Sequence, residues 1–462
     1  MKLIKNIILG GLTVLSLTGC KSLYGKYERP DVNTKGLFRD SVSAVDTLIA
    51  KDTLSFGNMP WREVFTDPQL QTLIQRSLDN NPDLLNAALN VDMAEAQLKA
   101  AKLAFLPQFA FTPQGTISRF NDNTTKTYQL PVAASWNVPL FGGLTAAKRA
   151  AQVSLIQMRD YQVSVQTSLI SAVANLYYTL MMLDRQIELV NEMEILTKKT
   201  WEQMQAMKDG RMGYRSTAVQ AAESNYYSVL TRKADLKLQL RESENALSLL
   251  LGEPVQTIAR GKLEDQYLPE KFSTGVGIQL LRNRADVHAN EMALAACFYD
   301  VEKARSNFYP NINISGTGAF TNGQGGMVNP GKWLWSAVGS LTQPIFMNGK
   351  LTAALRVAKD RYQQAYNTWQ QSILSAGAEV SNALVLYNTS AEKSAIEEKQ
   401  VEVLKKNVEQ THMLLDMAGA TYLEVITAES NLLNVQLSKV IDDFYKMQAV
   451  VNLYQALGGG AK

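Results

Sequence analysis

Pro139-Leu140-Phe141, followed by Leu144-Thr145-Ala146-Ala147, returns later as Pro344-Ile345-Phe346, followed by Leu351-Thr352-Ala353-Ala354. Outward from this pair, Phe105-Leu106-Pro107 returns as Phe308-Tyr309-Pro310. Gly213 with Ala222-Glu223-Ser224-Asn225 returns as Gly419 with Ala428-Glu429-Ser430-Asn431. The markers keep one order, at offsets of 203 to 207 residues. The chain is two tandem copies of one unit, and the period is far too long for a solenoid.

Each copy reads as the same parts. In the first, residues 70–106 form a helix, and 144–209 is a run without Gly or Pro. As a helix that run would be roughly 100 Å long at 1.5 Å per residue. Gly210 and Gly213 mark a turn, 214–251 is another helix, and Gly252-Glu253-Pro254 stops it. The second copy, 278–458, repeats this with helices 278–309, 350–418 and 420–457, ended by Gly458-Gly459-Gly460. Leu169, Val173, Leu176, Leu180, Leu183, Ile187 and Val190 step alternately by four and three, as do Leu433, Leu437, Val440, Phe444, Met447, Val451 and Tyr454. Such seams are those of coiled coils, and runs longer than ~25 residues favour an extended coiled coil over a compact bundle.

Between the helices the period changes to two. Segments 108–119 and 128–140 in the first copy, and 311–320 and 333–346 in the second, alternate apolar with polar residues and carry aromatics near their ends. That is the pattern of a membrane β-barrel. Asn121–Thr127 and Thr321–Lys332 are polar and suit hairpin tips. Four strands cannot close, and open edges are not tolerated in lipid, so the chain requires partners supplying further strands. Two subunits would give a narrow filled barrel, whereas three would give twelve strands and a pore.

The ends and composition narrow the function. Lys2 and Lys5 precede an uncharged, mostly apolar stretch ending Leu17-Thr18-Gly19-Cys20, so 1–19 reads as a secretory signal peptide. Its ending resembles a lipoprotein box in which Cys20 is acylated. Cys297 is then the only free thiol, and an intrachain disulfide is impossible. Residues 20–60 become a lipid-anchored tail, 253–277 a linker between the copies, and 459–462 a C-terminal tail. Val163–Leu183 lacks charge but carries too many polar groups for a lipid-facing helix. The 462 residues hold 46 Lys plus Arg against 43 Asp plus Glu, a balance that speaks against nucleic-acid binding. Two cysteines and two histidines, His288 and His412, make a zinc or Cys/His catalytic centre improbable. No glycine-rich phosphate loop is present. His412 reads as a solvated residue beside a helix turn.

The residues then resemble the TolC-like outer-membrane efflux proteins, in their OprM-type (NodT-like) lipoprotein branch. Trp61, Phe65, Asp67-Pro68 and Leu70 look like the family's W..F.DP.L opening, and Asn81-Pro82-Asp83-Leu84 fits its first helix. Leu281-Arg282-Asn283-Arg284-Ala285-Asp286-Val287 with Glu291 fits LLRRRPDV..AE, with Ala285 in place of the usual Pro and Asn290 in place of the usual Ala. Pro344-Ile345-Phe346 with Gly349, Tyr422-Leu423-Glu424-Val425 and Leu453–Gly460 complete the match.

The resemblance implies a mainly α chain with a membrane β part: an internally duplicated coiled-coil tunnel plus four transmembrane strands, closing as a homotrimer with a twelve-stranded barrel. It implies a passive exit duct of a tripartite efflux system, not an enzyme. Its partners would be a periplasmic adaptor, an inner-membrane pump of the RND class and outer-membrane lipid. It implies no cofactor beyond the lipid on Cys20. The helix turns near 210–213 and 419 would be a periplasmic gate. Its candidate residues are Glu424, where the family commonly has an acidic ring residue, and Asp416, facing Arg211 and Arg215, with Tyr214 and Tyr422 as further hydrogen-bond partners. A type I-like secretion duct shares this scaffold. An adaptor lipoprotein fits less well, because it usually carries one helical hairpin and lacks paired membrane-type strands.

Overall fold

The structure is a computed structural model and describes residues 25–31, 56–209, 216–267, 284–322, 332–417 and 421–461. In chain order the elements are α1 (Trp61–Val64), α2 (Pro68–Asn80), α3 (Pro82–Leu103), β1 (Gln108–Phe111), β2 (Gln114–Phe120), β3 (Asn123–Pro139), α4 (Gly143–Asp209), α5 (Ser216–Leu250), α6 (Ala285–Ser306), β4 (Asn311–Thr321), β5 (Lys332–Thr342), α7 (Lys350–Asp416) and α8 (Tyr422–Ala456). Residues cluster into two units. Among the described residues, one holds 25–31, 89–160, 288–322 and 332–372, the other 56–88, 161–209, 216–267, 284–287, 373–417 and 421–461.

The first unit contains the sheet. Both β1 and β2 pair antiparallel with β3, which pairs with β4, which pairs with β5. The alternation predicts one strand over 108–119. It is interrupted at Thr112-Pro113, where proline has no N–H to donate to β3. The reading also began the next strand at 128, after a long loop. The turn is instead two residues, Asn121 and Asp122, both with positive φ (44° and 61°), and β3 starts at Asn123. Two positive φ values suit the tight turn that matches strand twist, and Asn and Asp tolerate them.

Register assigns the two faces. Leu130, Val132, Ala134, Trp136 and Val138 stand opposite Phe320, Gly318, Gly316, Ile314 and Ile312. Those residues in turn stand opposite Trp333, Trp335, Ala337, Gly339 and Leu341. Directly paired residues share a face, so this one is apolar. Its aromatics lie towards the strand ends. Phe320 packs edge-on against Trp333, their centroids 5.7 Å apart, and Trp136 donates its indole N–H to the Phe105 carbonyl at 3.1 Å. The other face carries Gln129, Ser135, Asn137, Asn313, Ser315, Thr317, Ser336 and Ser340. Trp335 is 81% exposed and Phe109 72%, so the apolar face has no cover among the described residues.

The second unit is the helical core. Residues 70–106 read as one helix from sequence, but Asn81 divides it. Its side-chain oxygen accepts from the Asp83 and Leu84 N–H groups, capping α3, and Pro82 follows where no N–H is needed. Asp67 caps α2 by accepting from the Gln69 N–H at 2.8 Å. Its other oxygen takes the Tyr177 hydroxyl at 2.7 Å and the Gln266 amide at 3.0 Å. The opening motif is thus a fastener. Trp61, Phe65 and Leu70 are buried, and Asp67 joins α2 to α4 and to the linker. Burial and then Asp67 push the Tyr177 hydroxyl well above its ordinary pKa.

The two seams form one cluster with the opening motif, including Leu169, Val173, Leu180, Leu183 and Val190 from α4 and Leu433, Leu437, Val440, Phe444, Val451 and Tyr454 from α8. Arg284 is buried. It donates twice to Asp286, once to Glu379 and once to the Ala456 carbonyl, so its motif braces the end of α8. At the end of α5, Gly252 has φ +68°, and a Cβ there would lie 2.6 Å from the Asn80 carbonyl oxygen. Only glycine fits that close approach.

Candidate functional site at the helix-hairpin ends

α7 ends at Asp416 and α8 begins at Tyr422, and the charged start of α8 is built by local rules. Thr421 is the N-cap of α8, with its side chain accepting from the Glu424 N–H, while the Glu424 carboxylate accepts from the Thr421 N–H at 2.6 Å. This reciprocal pair satisfies two helix-end donors and places the carboxylate near the positive end of the helix dipole. Glu424 is exposed. Tyr422 is half-buried against a cluster of Met204, Val219, Ala222, Leu415 and Val425. Asp416 is the last residue of α7. Arg211, Tyr214, Arg215 and Cys20 lie outside the described residues. Of the six candidate gate residues, three are therefore placed at one hairpin end, and Glu424 already has a structural partner in Thr421.

The sequence reading of His412 needs correction. Its Nε2 lies 3.0 Å from Oε1 of Glu429, a fully buried residue, and the same oxygen accepts the Thr200 hydroxyl at 2.6 Å. One carboxylate thus bridges α7, α8 and α4 about one turn beyond Glu424. Its signal was present in the sequence. Residue 412 lies four places before the last residue of α7 and 429 seven places after the first of α8, so pairing the two helices brings them together. The twin residue Glu223, by contrast, accepts from the Tyr227 hydroxyl on its own helix at 3.3 Å. The other histidine, His288, contacts Asp160 at 2.7 Å, and that bond raises its pKa. Burial pushes the Cys297 thiol up, away from the reactive thiolate.

No helix among the described residues is long and apolar enough to cross a membrane. The comparisons decide what such a chain is. The model of the family described as outer membrane efflux protein matches twice, over residues 73–253 and 277–459. The chain belongs to the outer membrane efflux protein family. The chain is 29% identical to the cation efflux system protein CusC of Escherichia coli O157:H7, over 96% of this chain and 97% of that one. It is 27% identical to the probable outer membrane lipoprotein SilC of Salmonella typhimurium, over 97% of each. Among solved structures, CusC superposes with a TM-score of 0.79 at 26% identity, covering 87% of this chain and 95% of that chain. The open state of the Neisseria gonorrhoeae MtrE outer membrane channel gives 0.82 at 25% identity, covering 95% and 98%.

This efflux protein is therefore an outer-membrane channel, and its family consists of transport channels rather than enzymes.

Proposed function

We propose that the channel is the exit duct of a tripartite efflux system. In this reading three copies close a twelve-stranded barrel, and their long helices form a tunnel that docks a periplasmic adaptor and an inner-membrane pump of the RND class. The sheet carries the argument. Among the described residues its β1/β2 and β5 edges have no partner strand, and its apolar face is uncovered. Unpaired edges in lipid cost several kcal/mol per group, so closure must come from other copies. Twelve strands enclose an aqueous path, lined by the Ser, Thr and Asn face. The duct holds no phosphate loop, so the energy for transport enters through the pump.

Cys20 is the acylation site in this reading, which ties the tail to the outer membrane. One experiment tests both parts. Detergent extracts from cells fed labelled palmitate should yield a labelled trimer. A stable monomer overturns the closed barrel, and an unlabelled trimer overturns the lipid site.

The gate proposal is that three copies of Glu424 form a ring at the hairpin ends, answered by Arg211 or Arg215, with Asp416, Tyr214 and Tyr422 at the same constriction. Like charges around a narrow axis repel unless they bind cations or find basic partners. The capping geometry dictates how to test it. Glu424→Ala would remove a helix cap, worth about 0.5–2 kcal/mol, along with the charge. Glu424→Gln keeps the capping bond and removes only the charge. In planar bilayers Glu424→Gln should lower cation selectivity and block by divalent cations, with trimer stability unchanged. Unaltered selectivity and block would remove Glu424 from the gate.

A further inference from the structure

The duplication supplies an internal control for every position on the long helices. Counted from their first residues, Val190 of α4 and Glu397 of α7 occupy the same place, as do Leu236 of α5 and Asp442 of α8, and Gln186 and Lys393. In the first hairpin Val190 and Leu236 are buried in one apolar cluster. In the second hairpin two carboxylates stand at those places.

Of the three groups the aspartate is buried, the glutamate half-buried and the lysine exposed. Asp442 is 1% exposed. Lys393 Nζ donates to Oδ1 of its carboxylate at 2.6 Å and lies 2.6 Å from Oδ2 as well, so the ammonium sits against both oxygens. Glu397 stands one turn from Lys393 on α7, takes a hydrogen bond from Ser438 and lies against Asp442, and its Oε2 is buried without a donor. The charged groups acting on Glu397 are Lys393 from its own helix and Asp442 from α8. Tyr445 acts on Lys393. Asp443, next along, is held separately by Ser394, Lys439 and Lys446. Two carboxylates therefore share one ammonium. Replacing a buried apolar pair by charges costs stability unless every charge is matched, and here one is not.

We propose that Glu397 and Asp442 form a proton-binding site that clamps α7 to α8 in the second hairpin. With one proton between them, the site holds Glu397 as a donor, Asp442 as the acceptor and Lys393 as the counter-charge, and no charge is left over. When the proton leaves, two carboxylates face each other across the helix pair and the clamp loosens. The first hairpin has no such response, because valine and leucine do not titrate. This inference concerns the hairpin alone and does not depend on the exit-duct reading.

The sign follows from linkage. Burial, with Asp442 adding to it, raises the Glu397 pKa above the ordinary carboxylate range. The folded chain then keeps a proton that the unfolded chain has released, so stability falls as pH rises from that range through the raised value. Below the ordinary range both states are protonated and the dependence vanishes.

The test uses the full-length channel in detergent, with guanidinium unfolding at a series of pH values. For the wild type, one linked proton changes the unfolding equilibrium by up to about tenfold per pH unit across the window. Glu397→Gln carries a permanent N–H donor towards Asp442. It should remove that slope and match the acid-side midpoint of the wild type at all pH values in the window. The triple variant Lys393→Gln, Glu397→Val, Asp442→Leu copies the first hairpin and should fold without the slope. It keeps the proposal testable if Glu397→Gln folds poorly. If either folded variant retains the wild-type slope, Glu397 and Asp442 do not share a proton and the clamp is excluded.

Discussion

Arg260→Met should lower the stability of the helical unit by roughly 3–5 kcal/mol, the cost of stripping a partner from a buried charge. Arg260 donates to both oxygens of Asp184 (2.5 and 3.0 Å), to Glu244 at 2.9 Å and to the Ile258 carbonyl at 2.8 Å. Through these bonds the linker after α5 is fastened to α4 and α5. Glu244 is only 3% exposed. With Arg260 gone its remaining cation is Arg241, an exposed side chain 3.5 Å away, too far for a strong bond. The double variant Arg260→Met, Glu244→Met removes both charges and should recover most of the loss, since apolar residues of similar volume substitute well for buried ion pairs. Arg185→Ala is the control, as its partners Glu188 and Glu264 are solvated and the expected change is about 0–1 kcal/mol. Denaturant midpoints for the four proteins decide the matter. A loss below about 1 kcal/mol for Arg260→Met would mean that solvent reaches Glu244 once the linker is freed.

The fold was legible where one physical signal dominates over a long stretch. A run of 66 residues without Gly or Pro leaves little besides helix, and a 4-3 stepping seam fixes which face is buried. Alternation gave away the apolar face of β3, whose Leu130, Val132 and Trp136 stand in register with Phe320, Gly318 and Ile314. Boundaries set by single side chains were harder to read. Asn81 stops one helix and starts another by hydrogen bonds that composition does not reveal, and Pro113 splits a strand whose period continues past it. The hairpin end was legible only in part. Glu424 was visible as an acid at a turn, but its tie to Thr421 follows from cap geometry. His412 was misread because its partner Glu429 lies across the turn. The buried Asp442 was invisible for a related reason: a charge in sequence reads as surface until its burial is known.

Ala337→Arg should prevent assembly of the membrane part, whereas Ser336→Arg, one residue earlier, should be tolerated. Both residues lie near the middle of β5, and successive side chains of a strand point to opposite faces. Ala337 pairs with Gly316, in the row of Trp335, Gly339 and Leu341. Ser336 pairs with Thr317, in the row of Ser340 and Asn313. If the apolar row faces lipid, an arginine at its midpoint costs about 2–4 kcal/mol. A closed trimer bears that cost once per subunit and has no lipid-free way to avoid it. Position 336 would face the aqueous path, where an arginine stays hydrated and changes ion selectivity instead. The measurement is trimer yield in the outer-membrane fraction, followed by bilayer conductance of whatever assembles. The contrast between neighbours is what makes the test strict, because helix packing, export and expression are common to both variants. Equal yields would show that β5 does not meet lipid on its apolar row. Loss confined to Ser336→Arg would reverse the faces and place the tryptophans inside the pore.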